Sequence, residues 1–352
     1  MSLIKSLLNA GFIIYILAPE DAFTERIPIS DSLYFISVKK LKPKSICILS
    51  DWEYYKELKT YLRRIKPRVV LNFTIKPNIY GSFAAEKLKI SCISTITGLG
   101  TAFMQNGFIS AMAGKLYSRA LKHNKYILFH NKDDRNYFIA KSLVLQISSG
   151  VVAGSGVDTD YFKAQPQISR DIFTFLFAGT IIKEKGVLEY IQAARIVIPE
   201  FSKVEFRVCG DVETSDSNMA VRIALKNAIH DKSIVYNGVS NDIRTTISEC
   251  DVVVLPSYRE GLPKIILEAM SMEKPVITTN VEGCRETIEH QKHGFIISPK
   301  SSTELAEAMR KMILMGEEKL ICMGQQARKR VLEKFEVSLV NKKYENLIQD
   351  LI

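Results

Sequence analysis

In the stretch DVVVLPSYREGLPKIILEAMSMEKPVITT two carboxylates, Glu260 and Glu268, stand eight residues apart around a glycine and a proline. Residues 251–255 read as a buried strand that opens into a loop holding Pro256, Arg259, Glu260 and Gly261. Proline suits the first helical turn, so a helix is expected to start near Pro263. Gly261 lets the main chain approach a ligand. The N–H groups of Leu262, Lys264 and their neighbours, unpaired at a helix start, form an anion site. Glu268 then lies on the second turn and can point back toward the loop. One carboxylate near the anion and one further out, where a ribose presents two hydroxyls, is the layout of a nucleoside-diphosphate site. The same two glutamates also suit the capping and solvation of an ordinary helix, and both readings fit the spacing.

The elements around this loop alternate. GFIIYIL, PRVVLNF, ISCISTI and KYILFHN read as strands, and WEYYKELKTYLRRI, YGSFAAEKL and FISAMAGKLYSRALKH as helices by their 3.6-residue period. Apolar strands between helices predict parallel sheet covered on both faces. GSGVDTDYFKAQPQISRD interrupts the rhythm and reads as a linker. Alternation restarts with IFTFLFAG, KVEFRVCG, SIVYNG, DVVVLP, KPVITT and GFIISP, and only helices follow the last of these. The expected fold is α/β: two doubly wound Rossmann-like domains, 1–158 and 159–335, with a closing helix in 336–352 that packs back toward the first. A ligand belongs where the carboxyl ends of the sheets face a cleft.

Charge divides unevenly between these halves. Residues 1–158 hold 22 Lys and Arg against 11 Asp and Glu, a balance of +11, whereas 159–352 hold 26 against 27, a balance of −1. The asymmetry points to an anionic partner for the first half, a nucleic acid or a membrane surface, or to a solvated basic face. No recognition-helix motif, zinc finger or aromatic-interleaved basic strand accompanies it, which argues against nucleic acid. In FISAMAGKLYSRALKHNK, Phe108, Met112, Lys115, Arg119 and Lys122 share one helical face, apolar at its start and basic toward its end. With KKLKPK (39–44) and YLRRIKPR (61–68) this face suits shallow docking on an anionic membrane. No apolar run approaches the ~20 residues of a membrane span. The six cysteines form no CxxC pair and read as reduced core thiols of a cytoplasmic protein.

Further motifs set limits on the chemistry. Thr97-Gly98-Leu99-Gly100 follows a strand, but Phe103 stands where a dinucleotide fingerprint needs its third glycine, so a nicotinamide site is rejected. Gly98 and Gly100 are instead expected to face the cleft, toward a phosphate or a second substrate. His130 and Asn131 end a strand at the same rim, where purely structural hydrogen bonds suit them as well. No Asp-x-Asp stands in a strand-to-loop context suited to a metal, no His/Cys cluster has ligand spacing, and no cofactor is implied.

FLFAGTIIKEKGVLEYIQAA, the run from VYNGVSNDIR through GFIISP, and GSGVDTDYF together resemble the retaining glycosyltransferases of family 4, with their GT-B architecture of two Rossmann domains. NFTIKPNIYGSFAAEKLKISCISTITGLGTAF resembles the branch that builds capsule, O-antigen and related glycans on undecaprenyl diphosphate. The resemblance implies a metal-independent hexosyltransferase. It would move a hexose or N-acetylhexosamine from a nucleotide sugar, most often UDP-linked, to a lipid-diphosphate-linked saccharide, peripherally on the inner face of the cytoplasmic membrane. Another GT-B enzyme, such as a UDP-sugar 2-epimerase, is the rival that KEKG and the Glu-x7-Glu pair disfavour.

Carried over, Glu260 is the carboxylate beside the transferred sugar and Glu268 the one on the ribose. Lys185 of KEKG is the cation on the donor diphosphate. The family's arginine after the strand glycine is replaced here, Gly179 being followed by Thr180, so its phosphate contact is missing or comes from Arg259, Lys264 or Arg285. Asn237 and Gly238 match the loop under the nucleobase, and Gly261, Leu262 and Pro263 the phosphate turn. The family's first strand and its loop have no counterpart before the opening helix SLIKSLLNAGF, so the natural start is expected to lie upstream, or else the first domain lacks a central strand and a cleft loop.

Overall fold

The computed structural model describes residues 2–21, 24–42, 47–98, 108–165 and 171–352. Met1, Lys44, Leu99, Gly100 and Phe103 lie outside the described residues, as do the side chains of Phe108 and Met112. The chain forms two compact units, Met1–Val152 with Val337–Ile352, and Ala153–Glu336. The division falls at 152/153 rather than 158/159 because Ala153 and Val157 pack into the second unit's core, and the Val157 N–H donates to Phe335 O at 2.9 Å.

The first unit runs α1 (Ser2–Asn9), β1 (Ile14–Ala18), β2 (Leu33–Ser37), α2 (Ile48–Ile65), β3 (Val69–Phe73), a π-helical turn (Pro77–Gly81), α3 (Ser82–Leu88), β4 (Ser91–Ile96), α4 (Phe108–Leu121), β5 (Tyr126–Phe129), α5 (Lys132–Ala140) and β6 (Ser149–Val151). Its strands are parallel but make two sheets, β1-β2 and β3-β4-β5-β6. Among the described residues β1 pairs only with β2, and β3 only with β4. Side chains hold the two sheets together. Tyr54, Leu58 and Leu62 of α2 bury against Leu17 and Val38 of the first sheet's layer and Val70 of β3. The closing helix Val337–Gln349 ties α1 to the four-stranded sheet. Asn341 Nδ2 donates to Ser2 Oγ at 2.9 Å, the Tyr344 and Thr95 hydroxyls meet at 2.8 Å, and Lys343 Nζ donates to Val151 O at 2.7 Å.

The second unit runs β7 (Phe173–Ala178), α6 (Val187–Val197), β8 (Val204–Cys209), α7 (Met219–His230), β9 (Val235–Tyr236), α8 (Ile243–Ser248), β10 (Val252–Leu255), α9 (Lys264–Ser271), β11 (Val276–Thr279), α10 (Cys284–Thr287), β12 (Gly294–Ile297), α11 (Ser302–Leu314) and α12 (Glu317–Lys334). One parallel sheet has the order β12-β11-β10-β7-β8-β9. β7 (FTFLFA) is buried on both faces, which suits its central place, whereas β8 alternates Val204, Phe206 and Val208 with the paired Glu205 and Arg207. Phe175 stacks on Phe206 with centroids 5.2 Å apart, and each aromatic of this size buried contributes ~1.5–3 kcal/mol. The buried Tyr190 hydroxyl shares its one proton between Phe175 O at 2.9 Å and Arg207 O at 3.1 Å, which removes the cost of an unpaired polar group. After β9 the chain crosses back to the other side of β7, so the sheet's switch point lies between the carboxyl ends of β7 and β10. Such a point leaves a crevice that helices do not cover.

The cysteines are free. Cys92, Cys209, Cys250 and Cys284 are buried, but Cys47 and Cys322 are exposed and correct the expectation that all six are core thiols. Cys47 sits at the exposed start of α2, and Cys322 on the outer face of α12.

Candidate active site

The crevice at the switch point is a cavity of about 510 Å³. Its walls are the strand ends of the second unit: Gly179 and Thr180 after β7, Gly210 after β8, Val239 and Ser240 after β9, and Glu260, Leu262, Pro263 and Lys264 after β10, with Lys185 and Glu268 completing it. Residues 85 positions apart in sequence therefore share one cavity because parallel strands deliver their carboxyl ends to one edge.

Two loops meet beside the cavity. The Lys185 ammonium lies 2.5 Å from Glu260 Oε1, their side chains 28% and 11% exposed. The same Glu260 oxygen accepts from the Ser257 hydroxyl at 2.8 Å. The Tyr258 N–H donates to Glu184 O at 2.8 Å, and the Tyr258 hydroxyl donates to Glu189 Oε1 at 2.7 Å. That bond, on top of burial, raises the phenol well above its ordinary value, so it stays a donor. The KEKG turn is pressed hard against this loop. Gly186 has φ 75°, and a Cβ there would come within 2.1 Å of Pro256 O. Gly283 supports it from below, since a Cβ would meet Glu260 O and Gly261 O at 2.5 Å. Only glycine fits at either place. Cys284, next to Gly283, is pushed up to about 12 by burial and by the Glu260 charge, which leaves it an inert thiol.

Pro263 precedes α9 with an extended backbone and no side-chain cap. The first N–H groups of the helix thus point unsatisfied toward the cavity wall formed by Pro263, Lys264 and Ile265. Lys264, at the first helical position, is exposed and adds a cation to that end. Glu268 stands one turn further on the same side. Burial raises its carboxyl above the ordinary range, with the Lys264 charge pulling the other way.

The structure thus gathers Gly179, Thr180, Lys185, Glu260, Leu262, Pro263, Lys264 and Glu268 in one cavity. Arg259 and Gly261 flank the lining without forming it. Asn237 and Gly238 lie behind it as supports: the Asn237 N–H donates to Val208 O at 2.9 Å, and Gly238 O accepts from the Gly210 N–H at 2.8 Å. Arg285 is turned to Asn280 Oδ1 at 3.3 Å and Glu282 at 3.9 Å. Gly210, Val239, Ser240 and Ile243 complete the wall and were not expected. Only Gly210 carried a sequence signal, as the residue closing the strand RVCG.

In the first unit Gly98 follows β4 and His130 follows β5. Asn131 is fully buried and caps α5, its side chain accepting from the Asp134 N–H at 2.7 Å, which occupies it structurally. Burial pushes His130 down to about 4. Because that lies below the unfolded value of 6.5, His130 favours the folded state above pH 6.5 and loses that contribution as pH falls toward about 4. His130→Gln is therefore expected to reduce acid destabilisation in that window, read as Tm against pH, and to leave the pH–rate profile around neutrality unchanged. Lys115, Arg119 and Lys122 are all exposed along α4 and its end, while Tyr117, Ala120 and Leu121 turn inward.

Residues 158–330 match the family model of the Glycosyl transferases group 1, and residues 1–131 that of Glycosyl transferase 4-like. The chain is 23% identical over 373 residues to N,N'-diacetylbacillosaminyl-diphospho-undecaprenol alpha-1,3-N-acetylgalactosaminyltransferase of Campylobacter jejuni, with 100% of this chain and 95% of that protein covered. It is 24% identical over 327 residues to UDP-Gal:alpha-D-GlcNAc-diphosphoundecaprenol alpha-1,3-galactosyltransferase of Escherichia coli, covering 88% and 82%. Among solved structures, sucrose-phosphate synthase from Thermosynechococcus elongatus shares the fold at TM-score 0.85 and 17% identity, over 99% of this chain and 91% of that one.

Proposed function

This chain belongs to the glycosyltransferases, with the two parallel-sheet α/β domains of the GT-B fold, and from that premise we propose that it moves a hexose or N-acetylhexosamine from a UDP-sugar onto a saccharide carried on a lipid diphosphate, in the synthesis of a bacterial surface polysaccharide. One observation carries the reading: an uncapped helix N-terminus, two lysines and two glutamates line a single crevice at the switch point of the second unit. The α9 N–H groups and Lys264 receive the diphosphate, and Glu268 accepts hydrogen bonds from the ribose diol. Glu260 binds the sugar, and Lys185 stands beside it on the leaving side. In the reaction the bond from the anomeric carbon to the β-phosphate oxygen breaks and its electron pair leaves with UDP. The acceptor hydroxyl oxygen bonds that carbon, and its proton passes to the released diphosphate. Configuration is retained in this reading, Glu260 acting by binding rather than as a nucleophile. Charge develops on the departing phosphate, which is where preorganised cations contribute most.

The donor and acceptor named for the two enzymes similar to this chain support UDP and a lipid-diphosphate-linked saccharide. Among the described residues no helix is long and apolar enough to cross a membrane. The exposed basic face of Lys115, Arg119 and Lys122 supports peripheral contact with anionic lipid, which we place at the inner face of the cytoplasmic membrane. The test is a screen of UDP-sugars for UDP release in the presence of bacterial lipid extract. Release that requires both the sugar nucleotide and the lipid fraction, and is lost in Glu268→Ala, supports the proposal. An intact chain that turns over no donor with any extract overturns it.

A further inference from the structure

The start of α2 carries side chains that a globular surface ordinarily hides. Ile48 is 80% exposed, Leu49 77% and Trp52 53%, all within the first two turns. They lie away from Tyr54, Leu58 and Leu62, the side of the helix that packs inward. Cations surround them. Lys56 lies over the Trp52 ring at 5.2 Å and Lys59 over Tyr55 at 5.9 Å, and the two rings stack at 5.4 Å. The segment before the helix adds Lys39, Lys40 and Lys42, all exposed. It is tied to α2 by the Lys39 and Lys40 N–H groups, which donate to the Glu57 carboxylate at 3.1 and 2.9 Å.

The acidic residues of this region are already engaged. Asp51 accepts from Lys76 at 2.6 Å and from the Tyr80 hydroxyl at 2.9 Å, Glu53 pairs with Lys40 at 3.1 Å, and Glu57 holds the two backbone N–H groups. Among the described residues Lys39, Lys42, Lys56 and Lys59 have no carboxylate partner. An apolar tip inside a ring of uncompensated lysines is complementary to a surface with an apolar interior and an anionic skin. Indole rings favour that boundary, and lysine stems lie along it with their ammonium groups in the headgroup layer. A second copy of the same patch would bring like charges together. A nucleic acid would leave Ile48 and Leu49 in water.

We propose that the first two turns of α2, with residues 39–42, are an anchor that inserts Ile48, Leu49 and Trp52 into the interfacial layer of an anionic bilayer, with Lys39, Lys42, Lys56 and Lys59 on its headgroup phosphates. The proposal rests on the reading that the acceptor is lipid-linked, and deepens it by assigning the apolar part of the membrane contact. The π-helical turn touches both α2 and α4, so the anchor and the Lys115, Arg119 and Lys122 face belong to one helical layer.

The chain has a single tryptophan, Trp52, so the protein's own indole emission reads this patch directly. With the intact protein, vesicles of phosphatidylcholine and phosphatidylglycerol in equal parts are expected to shift the emission to the blue, and brominated acyl chains to quench it. Phosphatidylcholine alone is expected to do neither. Ile48→Ser with Leu49→Ser is expected to lower the vesicle-bound fraction about tenfold while the affinity for UDP is unchanged. Co-sedimentation with unchanged Trp52 emission overturns the anchor, because binding then uses another face. A blue shift that grows with protein concentration without lipid assigns the patch to self-association and also overturns it. Turnover of detergent-dispersed lipid acceptor by a protein that binds no vesicle overturns the anchor alone. Absence of turnover in detergent as well counts against the acceptor reading.

Discussion

Lys185→Ala is expected to lower kcat on the order of 10²–10³-fold, with a much smaller loss of affinity for UDP, as measured by initial rates and by calorimetric titration of UDP. The split follows from where the lysine stands. Its ammonium touches Glu260 at 2.5 Å in the wall of the cavity, which in the proposed reaction sets it against the leaving phosphate and the sugar-side carboxylate together. In that proposal uniform binding of the nucleotide falls mainly to the α9 N-terminus and Glu268, and the charge that appears only as the glycosidic bond breaks falls to Lys185. The substitution also leaves the Glu260 carboxylate, 11% exposed, with the Ser257 hydroxyl as its remaining close donor. Stripping a partly buried carboxylate of its cation costs on the order of 1–3 kcal/mol of stability, less than for a fully buried pair because Lys185 retains some contact with water. Adding Glu260→Gln to Lys185→Ala is therefore expected to restore much of the Tm and none of the kcat. A double variant that regains activity would show that the pair's role is structural.

Glu268→Gln is expected to do two opposite things: weaken UDP binding about 10- to 100-fold, and raise the Tm of the unliganded protein at neutral pH. A charged acceptor on a ribose diol is worth more than a neutral amide oxygen, which sets the first effect. The second follows from the raised carboxyl, whose main cause is burial. A carboxyl whose folded pKa lies above its unfolded value stabilises the fold fully below the unfolded value. That contribution is lost as pH rises through the folded one. At neutral pH the wild-type chain therefore carries a desolvation cost that glutamine avoids. The Tm advantage of Glu268→Gln should shrink as pH falls into the ordinary glutamate range and vanish below it. Donor affinity of the wild type should weaken on acidification sooner than an ordinary glutamate would dictate. Equal Kd for UDP in both proteins would remove Glu268 from the ribose.

Much of the second unit was legible because its information is local. The run 251–279 holds strand, loop, helix and strand in one stretch, and Glu260, Pro263 and Glu268 land in the cavity as their spacing implies. What escaped depends on sheet order. Gly210, Val239 and Ser240 reach the cavity only because β8 and β9 stand beside β7, and no spacing within a single stretch encodes that neighbourhood. The Lys185–Glu260 contact escaped for the same reason, 75 residues separating the partners. In the first unit, β2 was missed because LYFIS is a five-residue run between polar neighbours, too short to display a period. Its pairing with β1 follows from main-chain geometry, which side-chain patterning does not report. The trespass of Ala153 and Val157 into the second core reflects a packing choice inside a polar, glycine-rich segment that composition marks only as a linker.

The path of the chain has a consequence for how the protein can be taken apart. The whole second unit, Ala153–Glu336, is one uninterrupted span set into the other unit, whose own chain resumes at Val337. Its two ends are neighbours, Val157 pairing with Glu336 in a parallel bridge. Genetically it is an insert, and a single reading frame from 153 to 336 isolates the whole lining of the cavity with its termini already side by side. The outer unit has no such economy: its last helix is encoded after the insert, so truncation at the carboxyl terminus removes a piece of the first domain while leaving the sequence of the second intact.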